Sequence, residues 1–454
     1  MNLPNYFLAD LPPDARLTEN IIQEACVTLK RNRENYIKDR KTESLIRLVS
    51  GVAENWLHPD YPFRKHALEH GPARTGFSKG TLTRGLDSFF RDISQENLRA
   101  WLAQDLGNSK RLDEFCGDSS TTGSRRSAIA TGPELVFNIV GGCIPNAACT
   151  QIIAGILLRS AQFVKCSTGT SFLPSLFAHS LYDTDAKLAS CLELAEWPGG
   201  SVHLENPLIQ EADCITVSGT DETVQFVRNR LPMGKKFVGY GHRVSFAFIS
   251  AESLSGFNSR KTALKAAHDV TAWDQLGCLS PHVIYVQQGG AISAEQFAEL
   301  LAEELARFEE TQPRGSIASE AAAMIASRRA FYEIRAAHSP DTRHWISANS
   351  TAWTVVYEAS SLFQLSCLNR FIYVKAVANI HDALQGADSI RGHVSSVGLA
   401  AVDEEENVIA TALAHWGVTR VCPLGKMQEP SLLWRHDGRP ALGDLVTWTD
   451  HELK

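Results

Sequence analysis

No stretch of this sequence approaches the ~20 consecutive apolar residues that a membrane-spanning helix needs. The richest, Ile152 to Leu158, stops at Arg159, so no membrane span is expected. Positive charge is not in excess either. The net charge is -7 over 454 residues, which gives no general attraction to nucleic acid or anionic lipid. The ten cysteines form no CxxC pair and lack the regular spacing of a disulfide framework. With no signal-peptide pattern, that points to a reducing cytoplasm. The histidines, His393, His415 and His436 among them, have no metal-ligand spacing to cysteines, so no metal site is expected. Internal repeats and low-complexity segments are missing too.

What is present is the composition of a soluble enzyme, 44% hydrophobic and 21% charged, on a chain too long for one core. Residues from Leu17 to about Leu106 read as helices: Thr18–Lys38, Thr42–Leu57, Leu82–Arg91 and Glu96–Leu106. Pro59 to Pro62 and Gly71-Pro72 are expected to break them. The Gly117–Gly123 stretch reads as a linker and Arg125 to Thr131 as an extended arm.

From Leu135 the pattern becomes short apolar strands alternating with helices. Leu135–Val140, a Gly141-Gly142-Cys143-Ile144-Pro145 turn, the helix Asn146–Leu158 and the strand Gln162–Lys165 make a βαβ unit. Cys214–Val217, the helix Asp221–Arg230, Phe237-Val238 and Val244–Ile249 continue it. The fold class is therefore α/β with doubly wound parallel sheets, in which ligands lie beyond the carboxyl ends of strands. A second α/β block is expected from Lys236, with a final strand over Leu442–Thr449 that could pair across a subunit.

The second block holds the most suggestive stretch, Trp273-Asp-Gln-Leu-Gly-Cys-Leu-Ser-Pro-His282. Helical spacing runs from Ser259 to Leu276, Gly277 suits a C-cap and Pro281 forbids continuation. His282 to Val286 then reads as a buried strand. Cys278 sits on the resulting corner, where a nucleophile can be presented; taken alone, a buried inert thiol is the commoner reading of a cysteine. His282 suits a core contact better than a thiolate–imidazole pair.

Other candidates carry similar alternatives. Lys165-Cys166-Ser167-Thr168 closes a strand, where a lysine and hydroxyls suit an adenosine ribose or simply solvent. Ser218-Gly219 precedes a helix whose acidic first turn is explained by capping, although Gly219 would also let backbone approach a cofactor ring. Gly239-Tyr-Gly-His-Arg243 fails as a dinucleotide fingerprint, because Val244 fills the last glycine slot and a strand follows.

Phe237-Val-Gly-Tyr-Gly-His-Arg-Val-Ser-Phe246 together with Trp273 to Val283 strongly resembles the acyl-CoA reductases of LuxC type, within the aldehyde dehydrogenase superfamily. Trp197-Pro-Gly-Gly200, Ser218 to Thr223 and Trp434-Arg-His-Asp-Gly438 resemble further motifs of that family. The resemblance implies a helical region over 1–115, an oligomerisation arm over 116–134 and an NADP(H)-binding domain over 135–235. It implies a catalytic domain over 236–425, a terminal strand within 426–454, and a homo-oligomer. It makes Cys278 the nucleophile, with His242 as acid/base or structural group. Asn146, or backbone N–H groups, would serve as oxyanion donor, because Cys143 stands in the usual asparagine slot.

The resemblance also sets Lys165, Ser167, Thr168, Ser218 and Gly219 around a nicotinamide cofactor. Neutral Thr168 replaces a glutamate that would repel a 2′-phosphate, so NADPH is favoured and NADH stays compatible. The hydrolytic relatives' general-base glutamate has no counterpart in Gly239 to His242, which favours acylating chemistry. The expected reaction is reduction of a long-chain acyl-CoA or acyl-protein thioester to the aldehyde, with an acyl-protein synthetase as partner. The alternatives are a hydrolytic or oxidising aldehyde dehydrogenase, a non-redox acyl-thiol transferase, or a scaffold.

Overall fold

A computed structural model describes residues 3–12, 14–117 and 126–452. Most of the expected linker (Gly117–Gly123) lies outside the described residues. Five helices come first: α1 (Glu19–Tyr36), α2 (Thr42–Leu57), α3 (Pro62–Thr75), α4 (Lys79–Asp92) and α5 (Gln95–Leu106). Gly71-Pro72 does not break the chain as expected, because it lies inside α3, which ends at left-handed Gly76. A small antiparallel sheet follows, built from β1 (Cys116–Gly117) and β2 (Arg126–Thr131).

The first parallel sheet begins with β3 (Leu135–Val140), α6 (Asn146–Leu157), β4 (Ala161–Cys166), α7 (Phe172–Thr184), α8 (Ala186–Ala189) and β5 (Leu192–Glu196). It continues with α9 (Val202–Glu211), β6 (Cys214–Ser218), α10 (Asp221–Arg228) and β7 (Lys236–Tyr240). Its strand order is β5-β4-β3-β6-β7, all parallel. Every residue of β3 and β4 is buried, as a strand covered on both faces requires. The expected boundary at Lys236 therefore moves. Lys236–Tyr240 pairs with β6 and closes the first sheet, so the chain crosses over at Gly241–Arg243.

The second sheet has the order β10-β11-β12-β9-β8-β13-β14, parallel except for edge strand β10. Its elements are β8 (Val244–Ile249), α11 (Asn258–Thr271), β9 (Pro281–Gln287), α12 (Ala294–Thr311), α13 (Ser319–His338), β10 (Thr342–Ile346) and β11 (Thr354–Glu358). Then come β12 (Phe371–Val377), α14 (Ile380–Gly386), β13 (Val394–Ala400), α15 (Asp403–Trp416) and β14 (Val421–Pro423). The last strand, β15, spans Thr447–Glu452, later than expected, and pairs with β2 of its own chain.

The N-terminal helices share one core with the first sheet: Trp56, Trp101, Leu82 and Phe90 cluster with Val136, Val164 and Leu194. The same cluster includes Trp273, which joins them to the second block. Its ring meets Phe77 edge-on at 5.1 Å. It lies so close to Gly85 that an added Cβ there would sit 2.1 Å from Trp273 Cζ2. Gly85→Ala should therefore lower stability by about 1–3 kcal/mol through overpacking. Gly51→Ala is a control inside α2 with nothing within 4 Å of the new methyl, and should stabilise by about 0.5–1 kcal/mol. Urea unfolding of the two variants checks the contrast.

Candidate active site

The corner before Cys278 is not the plain helix terminus that the spacing suggests. Helix α11 ends at Thr271, and Trp273, Asp274 and Gln275 all take left-handed backbone, with φ of 49°, 50° and 66°. Gly277, expected as the C-cap, has no positive φ. It is small because Ile144 Cδ1 and Gln428 Nε2 would lie 2.8 and 2.3 Å from an added Cβ. A left-handed non-glycine residue costs roughly 1–2 kcal/mol, so three in a row need strong tertiary support.

That support is buried. Asp274 accepts from Arg370 Nε at 3.0 Å, from Arg370 Nη2 at 2.7 Å and from Gly315 N at 3.1 Å. Gln275 Nε2 donates to Pro281 O and Phe371 O, both at 2.8 Å. Arg370 belongs to a second left-handed run, Leu368-Asn369-Arg370, so two strained segments hold each other through one ion pair. Past the corner, Ser245 Oγ donates to Cys278 O at 2.7 Å, and Gln428 Nε2 donates to Ser280 Oγ at 2.6 Å. Cys278 thus stands at the amino ends of β8 and β9.

Opposite lies the carboxyl edge of the first sheet. The Gly141–Pro145 turn joins the two. Gly141 N donates to Ser218 O at 2.8 Å, and Ile144 covers Gly277. Asn146, half-buried, opens α6 just beyond this turn. Along the same edge, Ser167 Oγ donates to Val140 O at 3.3 Å, Thr168 is exposed and Gly219 N donates to Tyr240 O at 3.1 Å. Thr220 caps α10, as its sequence suggests. Lys165 is only 3% exposed and makes no hydrogen bond or ion pair among the described residues. Burial pulls its pKa down, and Glu205 opposes that. A buried amine with no close partner suits an anionic ligand, so this edge fits a nicotinamide dinucleotide.

Glu196, which the sequence reading passed over, ends β5 and accepts from Gly169 N at 2.7 Å and Ser171 N at 3.2 Å. It ties down the loop that carries Ser167 and Thr168. Its position at a strand end, one residue before Trp197-Pro-Gly-Gly200, was the available signal.

Cys278 and Cys143 are the exposed cysteines among the described residues. Cys278 lies open to solvent within a dense protein surround, and that surround pushes its thiol up to about 11; Asp437 adds to the rise, while Arg243 and Arg420 oppose it. Burial raises the Cys143 thiol as well. His242 is exposed, and its backbone N–H is held by Asp221 Oδ1 at 2.8 Å. His282 Nδ1 accepts from Ser366 N at 3.1 Å and burial holds the ring down at about 4, so it is a neutral core group.

A carboxylate does meet the crossover that follows Gly239–His242, at Arg243. Asp437 comes from the tail and pairs with Arg243 Nε at 3.0 Å. Sequence separation hid it, although Trp434-Arg-His-Asp-Gly438 had marked the segment. Among the described residues no group of three or more His, Cys, Asp or Glu side chains is placed to hold a metal ion, and no helix is long and apolar enough to cross a membrane.

An accessible thiol on a pinned corner, facing the ligand-binding edge of a doubly wound sheet, defines an oxidoreductase of aldehyde dehydrogenase fold. Solved structures agree. An NAD-dependent benzaldehyde dehydrogenase from Corynebacterium glutamicum superposes with TM-score 0.70 at 12% identity, covering 99% of this chain and 94% of that one. An NADP-dependent glyceraldehyde-3-phosphate dehydrogenase from Bacillus halodurans, complexed with NADP, gives 0.69 at 14% identity, covering 96% and 92%.

The acyl-CoA reductase (LuxC) profile matches residues 37–448, and the chain belongs to that family. It is 23% identical over 454 residues to the long-chain acyl-protein thioester reductase of Aliivibrio fischeri, covering 97% of this chain and 88% of the relative. The Vibrio harveyi reductase of the same description is 22% identical over 426 residues, covering 92% and 84%.

Two outcomes follow from the geometry. Asp274→Ala leaves Arg370 buried without its main partner and should cost about 3–5 kcal/mol in chemical unfolding. In the protein without ligand, iodoacetamide alkylation of Cys278 should rise with pH toward a midpoint near 11, read by peptide mass spectrometry. A midpoint below 8 would contradict the raised thiol.

Proposed function

We propose that this protein reduces a long-chain acyl thioester, carried by an acyl protein or by coenzyme A, to the fatty aldehyde with NADPH. The observation that carries the reading is the placement of Cys278, accessible and rigidly held, across the Gly141–Pro145 turn from the edge that carries Lys165, Ser167, Ser218 and Gly219. The A. fischeri and V. harveyi relatives, both described as acyl-protein thioester reductases, support the substrate class.

Cys278 attacks the acyl carbonyl, its sulfur displaces the donor's thiol, and the acyl group rests on the enzyme as a thioester. Asn146 and the N–H groups of the first α6 turn and of Cys278 are the donors for the carbonyl oxygen in this attack. Such donors contribute about 3–4 kcal/mol each. The side chains of Lys165, Ser167 and Thr168 hold the adenosine ribose end of the cofactor, and Ser218-Gly219 borders its ring. A bound nicotinamide supplies the hydride that takes the acyl group to the aldehyde level. The thiohemiacetal on Cys278 then expels the aldehyde and restores the thiol, with His242 as the exposed group available to exchange protons with solvent. We propose an acyl-protein synthetase as the partner that loads the donor, a homo-oligomeric assembly and a cytoplasmic setting.

Glu196 qualifies the cofactor preference, because it puts a carboxylate near Thr168. Both of its oxygens are occupied by backbone N–H groups, which offsets its charge toward a 2′-phosphate. Thr168→Glu should weaken NADPH more than NADH in fluorescence titrations, and equal losses would count against this placement. Cys278→Ala should abolish acyl-adduct formation and aldehyde production while both cofactors still bind. Adduct formation at the wild-type rate in that variant would sink the assignment. Free acid in place of aldehyde would select the hydrolytic alternative.

A further inference from the structure

The Asp274–Arg370 pair fixes the chain before the nucleophile, and two further grips hold the chain from the nucleophile onward. Ser280 N closes a turn on Gly277 O at 2.9 Å, with Cys278 inside it. The first grip is the Ser245 hydroxyl, which donates to Cys278 O at 2.7 Å and accepts from Ser396 N at 3.2 Å. The second is Gln428. Its Nε2 donates to Ser280 Oγ at 2.6 Å, and its carboxamide fills the space beside Gly277. Ser245, Ser280 and Ser396 are buried, so water does not compete for these contacts.

Both grips trace back to Arg420. This residue precedes β14, and its carbonyl accepts from Val397 N at 2.9 Å, which ties its backbone to β13. Nη1 donates to Ser396 Oγ at 3.0 Å and to Met427 O at 2.7 Å, while Nη2 donates to Lys426 O at 2.9 Å. One branch therefore ends on the serine that supports Ser245. The other two end on the residues just before Gln428. Asp269 holds the same loop from another side, taking Gly425 N at 2.6 Å and Met427 N at 2.8 Å. The Trp434 ring centre lies 5.6 Å from the guanidinium carbon. A guanidinium is planar and its donors form a rigid fork, so it fixes several acceptors in one geometry; a lysine ammonium on a flexible stem does not.

We propose that Arg420 is the positioning residue of the nucleophile: one guanidinium sets Ser245 through Ser396 and Gln428 through the Lys426 and Met427 carbonyls, and so aims the Cys278 turn at the thioester carbonyl. Every hydrogen bond on the two routes is 3.2 Å or shorter. Arg420 itself makes and breaks no bond in the reaction. Its effect is on approach, where a shift of about 1 Å in a reacting group costs roughly a hundredfold in rate. The inference rests on the acyl-enzyme reading above and adds to it a side chain that acts through two others.

The test uses the full chain with tetradecanoyl-CoA and no nicotinamide, following the Cys278 adduct by rapid quench and intact-mass measurement. R420K keeps the charge and loses the fork. Its maximal acylation rate should fall at least about tenfold, while the half-saturating tetradecanoyl-CoA concentration moves less than about threefold. Iodoacetamide is small and needs no aimed approach, so it should alkylate Cys278 of R420K within about threefold of the wild-type rate at the same pH. Lost acylation with retained alkylation is a combination that a misfolded site or an altered thiol acidity does not produce. In an S245A/Q428A background, where both grips are gone, R420K should slow acylation by less than about threefold more. A smaller loss in R420K alone, a parallel loss of alkylation, or a larger additional loss in that background overturns the proposal. Should R420K fail to fold, S396A and Q428A decide, since each severs one route. Acylation slowed at least about fivefold in both, with alkylation retained, supports the proposal, and a smaller effect in either overturns it. A wild type that never forms the adduct sinks the acyl-enzyme reading itself, and this inference with it.

Discussion

The buried pair of Asp274 and Arg370 is the contact on which the site's geometry depends. Each residue belongs to a left-handed run that its own sequence does not favour, and each supplies the charge that the other needs in the interior. Arg370 also reaches Glu309 Oε2 at 2.9 Å and Gln312 O at 3.1 Å, so the pair anchors the end of α12 as well as the nucleophile's corner. A buried ion pair is a weak source of net stability, because desolvation consumes most of its attraction. Its value here is conformational: neither strained segment has a comparably satisfied alternative once the two charges are buried.

That corner explains where the reaction has to occur. The second sheet presents the amino ends of β8 and β9, so the thiol does not lie beyond the carboxyl edge of its own sheet. It faces the carboxyl edge of the first, and the crossover Gly241–Arg243 is the covalent link between them. Small residues shape the carboxyl edge of the first sheet. An added Cβ at Gly141 would lie 2.6 Å from Ser218 O, and one at Gly241 would lie 2.1 Å from Asp221 Oδ1. Between the two blocks the small residue is Gly277, where an added Cβ would lie 2.8 Å from Ile144 Cδ1.

Much of this was legible in the sequence wherever local periodicity and burial agree. The strands Leu135–Val140 and Val244–Ile249 and the helix Thr42–Leu57 fall on the residues the pattern selects, because fully apolar strands and a clean helical stripe leave no competing arrangement. The misses have one cause. Gly71-Pro72 reads as a break, yet Pro72 needs only a tolerant preceding turn, and Gly71 lies hard against Leu82. The helix expected to run to Leu276 ends at Thr271 because Trp273 is drawn into the pocket beside Gly85 and Phe77. Lys236–Tyr240 joins the first sheet because β6 offers it a full parallel ladder. Tertiary contacts decide each case, and spacing along the chain carries no record of them. Asp437 is the extreme instance, 194 residues from the Arg243 it pairs with.

A raised thiol pKa also bears on the direction of acyl transfer. The more basic a thiolate, the stronger it is as a nucleophile and the poorer as a leaving group. On the proposed route, a thioester on Cys278 would therefore be less prone to revert than one on an ordinary thiol of pKa about 8.5. The same basicity would slow the final release, since the sulfur must leave the thiohemiacetal carbon.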